Sequence, residues 1–250
     1  MRPYDRLAPY FGSVFPCTAE HAACYDRLLP DARGKRALDV GFGTGEHLAY
    51  LRERGAVIFG LEVEPELVEW ARRRFPEEPD HFRVGSMTAV SAAFKDEQFD
   101  LVLLIGNTLP HAADRRQARR ALLELAQVTD PAAVAVISLV NYDRILRERI
   151  TELPVKRGET SEGKAWEFHR SYDLSEAPEK VLFRTRLITA DASVEGGHSL
   201  LPLQRREAES AARAAFDEVE VYGGYLREPW SSKSFVTVLI AWHPRRQFRG

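Results

Sequence analysis

One stretch constrains the fold more than any other. Ala37-Leu38-Asp39-Val40 is a short apolar run that leads into Gly41-Phe42-Gly43-Thr44-Gly45. Such a run reads as a buried strand, and the glycines let the backbone turn sharply and bring N–H groups close to a ligand with no Cβ in the way. Glu46 to Arg54 then follows a helical pattern, with Leu48 and Leu51 apolar and Gly55 as C-cap. The alternation continues. Ala56 to Leu61 is a second apolar strand closed by Glu62, and Pro65 opens a helix through Phe75 with Leu67, Val68 and Ala71 inward. Phe82 to Val84 and Phe99 to Ile105 are the third and fourth strands, Asp114 to Val128 is an amphipathic helix, and Ala132 to Val140 is the fifth strand. Apolar strands alternating with helices predict a parallel sheet covered on both faces and doubly wound by right-handed crossovers.

After Tyr142 the pattern changes. Trp166 to Leu174 and Val181 to Val194 alternate apolar and polar residues, as half-exposed antiparallel strands do. A polar, alanine-rich helix from about Gln204 to Phe216 precedes two last strands, Glu218 to Gly223 and Ser234 to Trp242. The expectation is an α/β fold: a seven-stranded, mostly parallel, Rossmann-like sheet with an antiparallel β insertion after the fifth strand. Residues 1–250 read as one domain, with 1–35 as an N-terminal helical lid and 143–204 as a cap over the substrate side. At about 60 residues the cap is too small to bury a core of its own.

Composition narrows the class. With 35 Lys+Arg against 37 Asp+Glu, the net charge of −2 argues against affinity won by neutralising phosphates, so no nucleic-acid partner is expected. The basic stripe Arg115-Arg116 and Arg119-Arg120 reads as a solvated helix face. No apolar run approaches the roughly 20 residues that span a bilayer, and Met1 to Gly12 lacks a secretory apolar core. Cys17 and Cys24 match neither a disulfide framework nor a zinc pattern, and the histidines show no paired spacing, so a cytoplasmic protein without a metal is expected. A homo-oligomer is left open.

Spacing selects the ligand of the glycine turn. The dinucleotide fingerprint needs glycine where Glu46 stands, and a carboxylate there would repel a pyrophosphate. Asp39 suits an amine, and Glu62, at the end of the second strand, can accept from both hydroxyls of a ribose. An adenosine with a cationic amino-acid tail fits both acids: S-adenosylmethionine.

These residues resemble the class I S-adenosylmethionine-dependent methyltransferases. Leu38 to Gly45 is similar to the family's glycine-rich first motif, Gly60 to Leu67 to its second, and Phe99-Asp100-Leu101-Val102 with Gly106-Asn107 to its fourth. The resemblance implies cofactor contacts at Tyr4, Tyr10, Asp39, Gly41, Gly43, Glu62, Val63, Ser86, Met87 and Ile105, with Ser86 where the family often has an adenine-binding acid. Gly106 to His111, Asn141 to Leu146, Tyr4-Asp5 and Thr18-Ala19-Glu20 are further similar to the glycine/sarcosine N-methyltransferase group. That group places Tyr4 and Tyr10 over the cofactor's methionine end and Asn107 and His111 near the acceptor. It has an arginine for the substrate carboxylate where Val140 stands, and another near the cofactor carboxylate where Cys17 stands. Leu200 and Leu201 replace its glycine-facing tyrosines. The resemblance therefore implies a small-molecule methyltransferase with a more apolar acceptor pocket, and not glycine as substrate.

Transfer from a sulfonium is an in-line displacement, so the protein must hold a lone pair about 3 Å from the methyl carbon. The expected acceptor is an amine nitrogen, with Asn107, His111 and Tyr142 around it and His111 as base or positioning group. The alternatives are O-methylation of a hydroxylated metabolite, a non-catalytic cofactor binder, and a nicotinamide oxidoreductase that fails at Glu46.

Overall fold

The structure, a computed structural model, describes residues 3–160, 162–190 and 192–245, with residues 3–8 described by backbone alone. Helices α1 (Pro3–Val14) and α2 (Ala19–Leu28) precede β1 (Arg36–Val40), α3 (Glu46–Glu53), β2 (Val57–Glu62) and α4 (Pro65–Arg74). Then come β3 (Phe82–Val84), α5 (Val90–Ala93), β4 (Phe99–Leu104), α6 (Arg115–Val128) and β5 (Thr129–Val140). Local chemistry starts these helices: Thr18 and His21 cap α2 reciprocally, Pro65 sits in the first turn of α4, and Asp114 accepts from the Gln117 N–H at 2.8 Å to cap α6.

Strand order is β10-β11-β5-β4-β1-β2-β3, where β10 is Phe216–Tyr222 and β11 is Val236–Pro244. All pairs are parallel except those of β11, which runs antiparallel to both β5 and β10. This is the predicted seven-stranded, mostly parallel sheet. Its order reverses between β1 and β4, and that switch point sets the ligand crevice above their carboxyl ends. Both faces are covered. Leu38 and Val40 pack with Leu122 and Leu125 of α6, whereas Ala37 and Ile58 pack with Leu48, Leu51 and Val68 from α3 and α4. Continuous apolar strands follow from having no solvent side.

After β5, helix α7 (Tyr142–Glu148) leads into β6 (Glu152–Glu159), β7 (Ala165–Asp173), β8 (Val181–Thr189) and β9 (Ser193–Leu200), a separate antiparallel sheet in sequence order. The expected strand 181–194 is two strands, because the chain reverses after Thr189, where its N–H donates to the Ala192 carbonyl at 2.9 Å. β6 was not expected from its sequence, and β5 begins three residues early, with a register shift around Pro131, which has no N–H for the ladder. Helix α8 (Arg205–Arg213) is shorter than the expected 204–216 because Phe216 already opens β10.

Candidate active site

The turn after β1 depends on its glycines. Gly41, Gly43 and Gly45 have φ of 81°, 60° and 82°, a region L side chains rarely adopt. Gly41 N–H donates to the Leu61 carbonyl at 2.7 Å, which ties the turn to the end of β2. A β-carbon at residue 41 would also meet Thr108, so the loop after β4 closes the same crevice from the other side.

Two buried acids face this turn. Glu62 is 8% exposed; Oε2 accepts from the Gly43 N–H at 3.1 Å, and Oε1 from the Val63 N–H at 2.8 Å and the Glu64 N–H at 3.3 Å. Burial raises its pKa even though these three donors favour the carboxylate. Asp39 is 1% exposed, and its Oδ1 has no hydrogen-bond partner. Burial, then the charge of Glu62, pushes its pKa up to about 8. Among the described residues no cation lowers the pKa of either acid. Cys17, where the resembling group has an arginine, is a thiol whose pKa is pushed up to about 12 by burial and by the nearby Glu46 and Asp39. The donor set thus fits a ligand with several hydroxyls and a positive charge. Glu46, the residue that spoils the dinucleotide fingerprint, is ion-paired outward to Arg74 of α4.

The remaining expected contacts are distributed unevenly. Val63 is exposed beside Glu62, Met87 is half-buried, and Ile105 is buried with its carbonyl accepting from Thr108 Oγ1 at 2.7 Å. Ser86 is exposed and uses its hydroxyl to cap the turn that follows, accepting from the Thr88 N–H at 3.2 Å. The side chain of Tyr4 lies outside the described residues. Tyr10 packs against Val14, Trp166, Phe168 and Leu187 below the second sheet. The α1 aromatic over the glycine turn is instead Phe11, whose ring would meet a β-carbon on Gly43 at 2.7 Å.

On the side expected to face the acceptor, Asn107 adopts φ 71°, with Nδ2 donating to the Tyr142 hydroxyl at 3.1 Å and Oδ1 accepting from the Val140 N–H at 3.2 Å. Tyr142 is fully buried, and burial raises the pKa of its hydroxyl. It therefore holds Asn107 in place and presents no surface to an acceptor in this state. His111, in a short turn after β4, is exposed to solvent. The protein mass around it and the nearby His198 lower its pKa to about 4. The two rings lie 5.3 Å apart, and His198, on β9, carried no signal in the sequence. A second cluster is also invisible in one dimension. Tyr25 and His47 Nδ1 are 2.9 Å apart, and His21 packs on Tyr225 at 4.1 Å. Among the described residues no group of His, Cys, Asp or Glu could hold a metal ion, and no helix is long and apolar enough to cross a membrane.

Residues 38–137 match the family described as a methyltransferase domain. That match spans 100 of the 250 residues, so it marks this part of the chain as similar to a methyltransferase domain. It is 28% identical over 149 residues to the glycine N-methyltransferase of Mus musculus, covering 55% of this chain and 51% of that protein. An O-methyltransferase of Penicillium expansum is 36% identical over 117 residues, covering 45% and 40%. The chain thus spans about half the length of the curated relatives it matches. An S-adenosylmethionine-dependent methyltransferase from Clostridium acetobutylicum superposes with a TM-score of 0.72 at 10% identity, covering 96% of this chain and 99% of that one. The domain has the fold of the S-adenosylmethionine-dependent methyltransferases.

Proposed function

We propose that the protein is an S-adenosylmethionine-dependent methyltransferase that methylates an amine nitrogen of a small molecule. The observation that carries this reading is the uncompensated acid pair at the turn: Asp39 with an unpartnered oxygen beside Glu62. When bound, the cofactor supplies an electrophilic methyl group on a positively charged sulfur. Asp39 takes its ammonium and Glu62 its ribose hydroxyls, with Gly41 and Gly43 giving backbone approach. Exposed Val63 and half-buried Met87 flank the base, while Ile105 and the α1 aromatics close the rim. Asn107, locked by Tyr142, positions the acceptor, and residues 143–204 cover it.

Nitrogen is favoured over oxygen by His111. An imidazole with a pKa of about 4 is a poor base for a hydroxyl, whereas an amine gives up its proton to solvent and brings its own lone pair. His111 then serves as a neutral hydrogen-bond partner. The N- and O-methyltransferase relatives are compatible with either atom.

Calorimetry with S-adenosylhomocysteine tests the cofactor assignment. Wild type should bind it and not NAD, and Glu62→Ala should lose about 1–3 kcal/mol with the charge-assisted ribose hydrogen bonds. Unchanged affinity in the variant, or binding of NAD alone, would overturn the reading.

A further inference from the structure

The second sheet treats its cations differently on its two faces. On the outer face each arginine has a carboxylate: Arg157 with Glu167 at 2.8 Å, Arg184 with Asp173 at 2.9 Å and Arg186 with Glu195 at 3.6 Å. The inner face of β7 carries Trp166, Phe168, Arg170 and Tyr172. Arg170 there donates only to the Pro154 carbonyl, at 2.8 Å through Nη2, and its Nε is buried with no partner. Lys156 stands nearby on β6 and donates to the Val14 carbonyl at 2.9 Å. Neither has a carboxylate partner among the described residues, and burial lowers the pKa of both. Arg170 lies 5.9 Å from the Phe168 ring centre and Lys156 5.4 Å from that of Phe15, contacts that offset part of their desolvation but neutralise neither charge, which a ligand's anion would do.

The position says which ligand. One step along β7 from Arg170, Phe168 packs its ring 5.4 Å from Phe15 at the end of α1, the helix that roofs the glycine turn. One step the other way, Tyr172 shares a core with Tyr142, which holds Asn107. Across the sheet Arg170 pairs with Thr185 and Thr185 with Gly196, so the row ends in a hydroxyl and a residue without a side chain. The next row ends at His198, beside His111. Arg170 thus lies on the strip between the cofactor roof and the acceptor-side residues.

We infer that Arg170, with Lys156 beside it and Thr185 across from it, is the anion-binding subsite of the acceptor pocket, and that the acceptor carries a carboxylate or phosphate apart from its methylated nitrogen. This rests on the methyltransferase reading for the reaction, but the anion site stands on the cap sheet alone. A guanidinium with a free Nε–H offers the directional, charge-assisted contact that either anion prefers.

The test uses 15N-labelled protein saturated with S-adenosylhomocysteine and titrated separately with acetate and inorganic phosphate. The Arg170 Nε–H resonance, assigned by its loss in Arg170→Lys, should shift saturably with at least one of them, and the stronger binder identifies the anion. No shift with either anion overturns the inference. In turnover, matched amines with and without a carboxylate or phosphate should separate. Arg170→Gln should raise KM about 10–100-fold for the anionic member, with kcat little changed and the uncharged member unaffected. Equal loss for both members would mean a merely structural arginine. Failure of the underlying reading looks different: no turnover of any amine while the Arg170 resonance still responds to anion.

Discussion

Asp39 makes the cofactor site sensitive to pH. In the free protein its carboxyl, with a pKa of about 8, is largely protonated at neutral pH. The ammonium of the ligand's amino-acid tail favours the ionised form, so binding must expel that proton. S-adenosylhomocysteine affinity should rise as pH goes from 6 toward 8, by up to about tenfold per unit for one proton. Calorimetry in two buffers of different ionisation enthalpy should show proton release, and Asp39→Asn should abolish both effects. The folded pKa lies above the ordinary value of 3.8, so the stability this group contributes is complete below that value and is lost as pH rises through 8. The melting temperature of Asp39→Asn relative to wild type should therefore climb between pH 5 and 8. The acids themselves were legible in the sequence, because Asp39 is the last residue but one of its strand and Glu62 the last of its own, and the apolar runs and flanking glycines mark both. Phe11 and Arg170 were not. Their significance comes from what packs against them, and no local spacing encodes that.

The same division holds for elements. The strands of the main sheet were legible because burial on both faces makes them unbroken apolar runs, and α6 because one stripe is apolar and Asp114 caps it. β6 and β9 were not. β6 contains Pro154 and a register shift between Leu153 and Lys156, which breaks the alternation, and β9 carries Gly196 and Gly197 where apolar residues would mark a strand. Helix α1 is the element on which cofactor access turns, since the Phe11 ring covers Gly43. Phe11→Ala should speed S-adenosylhomocysteine association several-fold in stopped-flow measurements and speed dissociation as well. An unchanged association rate would show that the ligand reaches the turn without displacing α1.

At the scale of the molecule, the seven-stranded sheet carries the glycine turn and the four-stranded sheet carries Arg170, the two places proposed for the cofactor and for the acceptor's anion. Helix α1 touches both. Phe11 meets the turn, Val14 and Phe15 meet Phe168, and Lys156 donates to the Val14 carbonyl at 2.9 Å. The affinities for the two ligands should therefore be linked. Saturating S-adenosylhomocysteine should tighten phosphate or acetate binding at Arg170 by about 5–150-fold, and the anion should tighten the nucleoside by the same factor. Lys156→Met should weaken anion binding by itself and remove most of the linkage, while S-adenosylhomocysteine still binds in the absence of anion. A helix whose last turn is wedged between the two sheets cannot shift for one guest without reshaping the seat of the other, so methyl donor and methyl acceptor should each slow the other's escape.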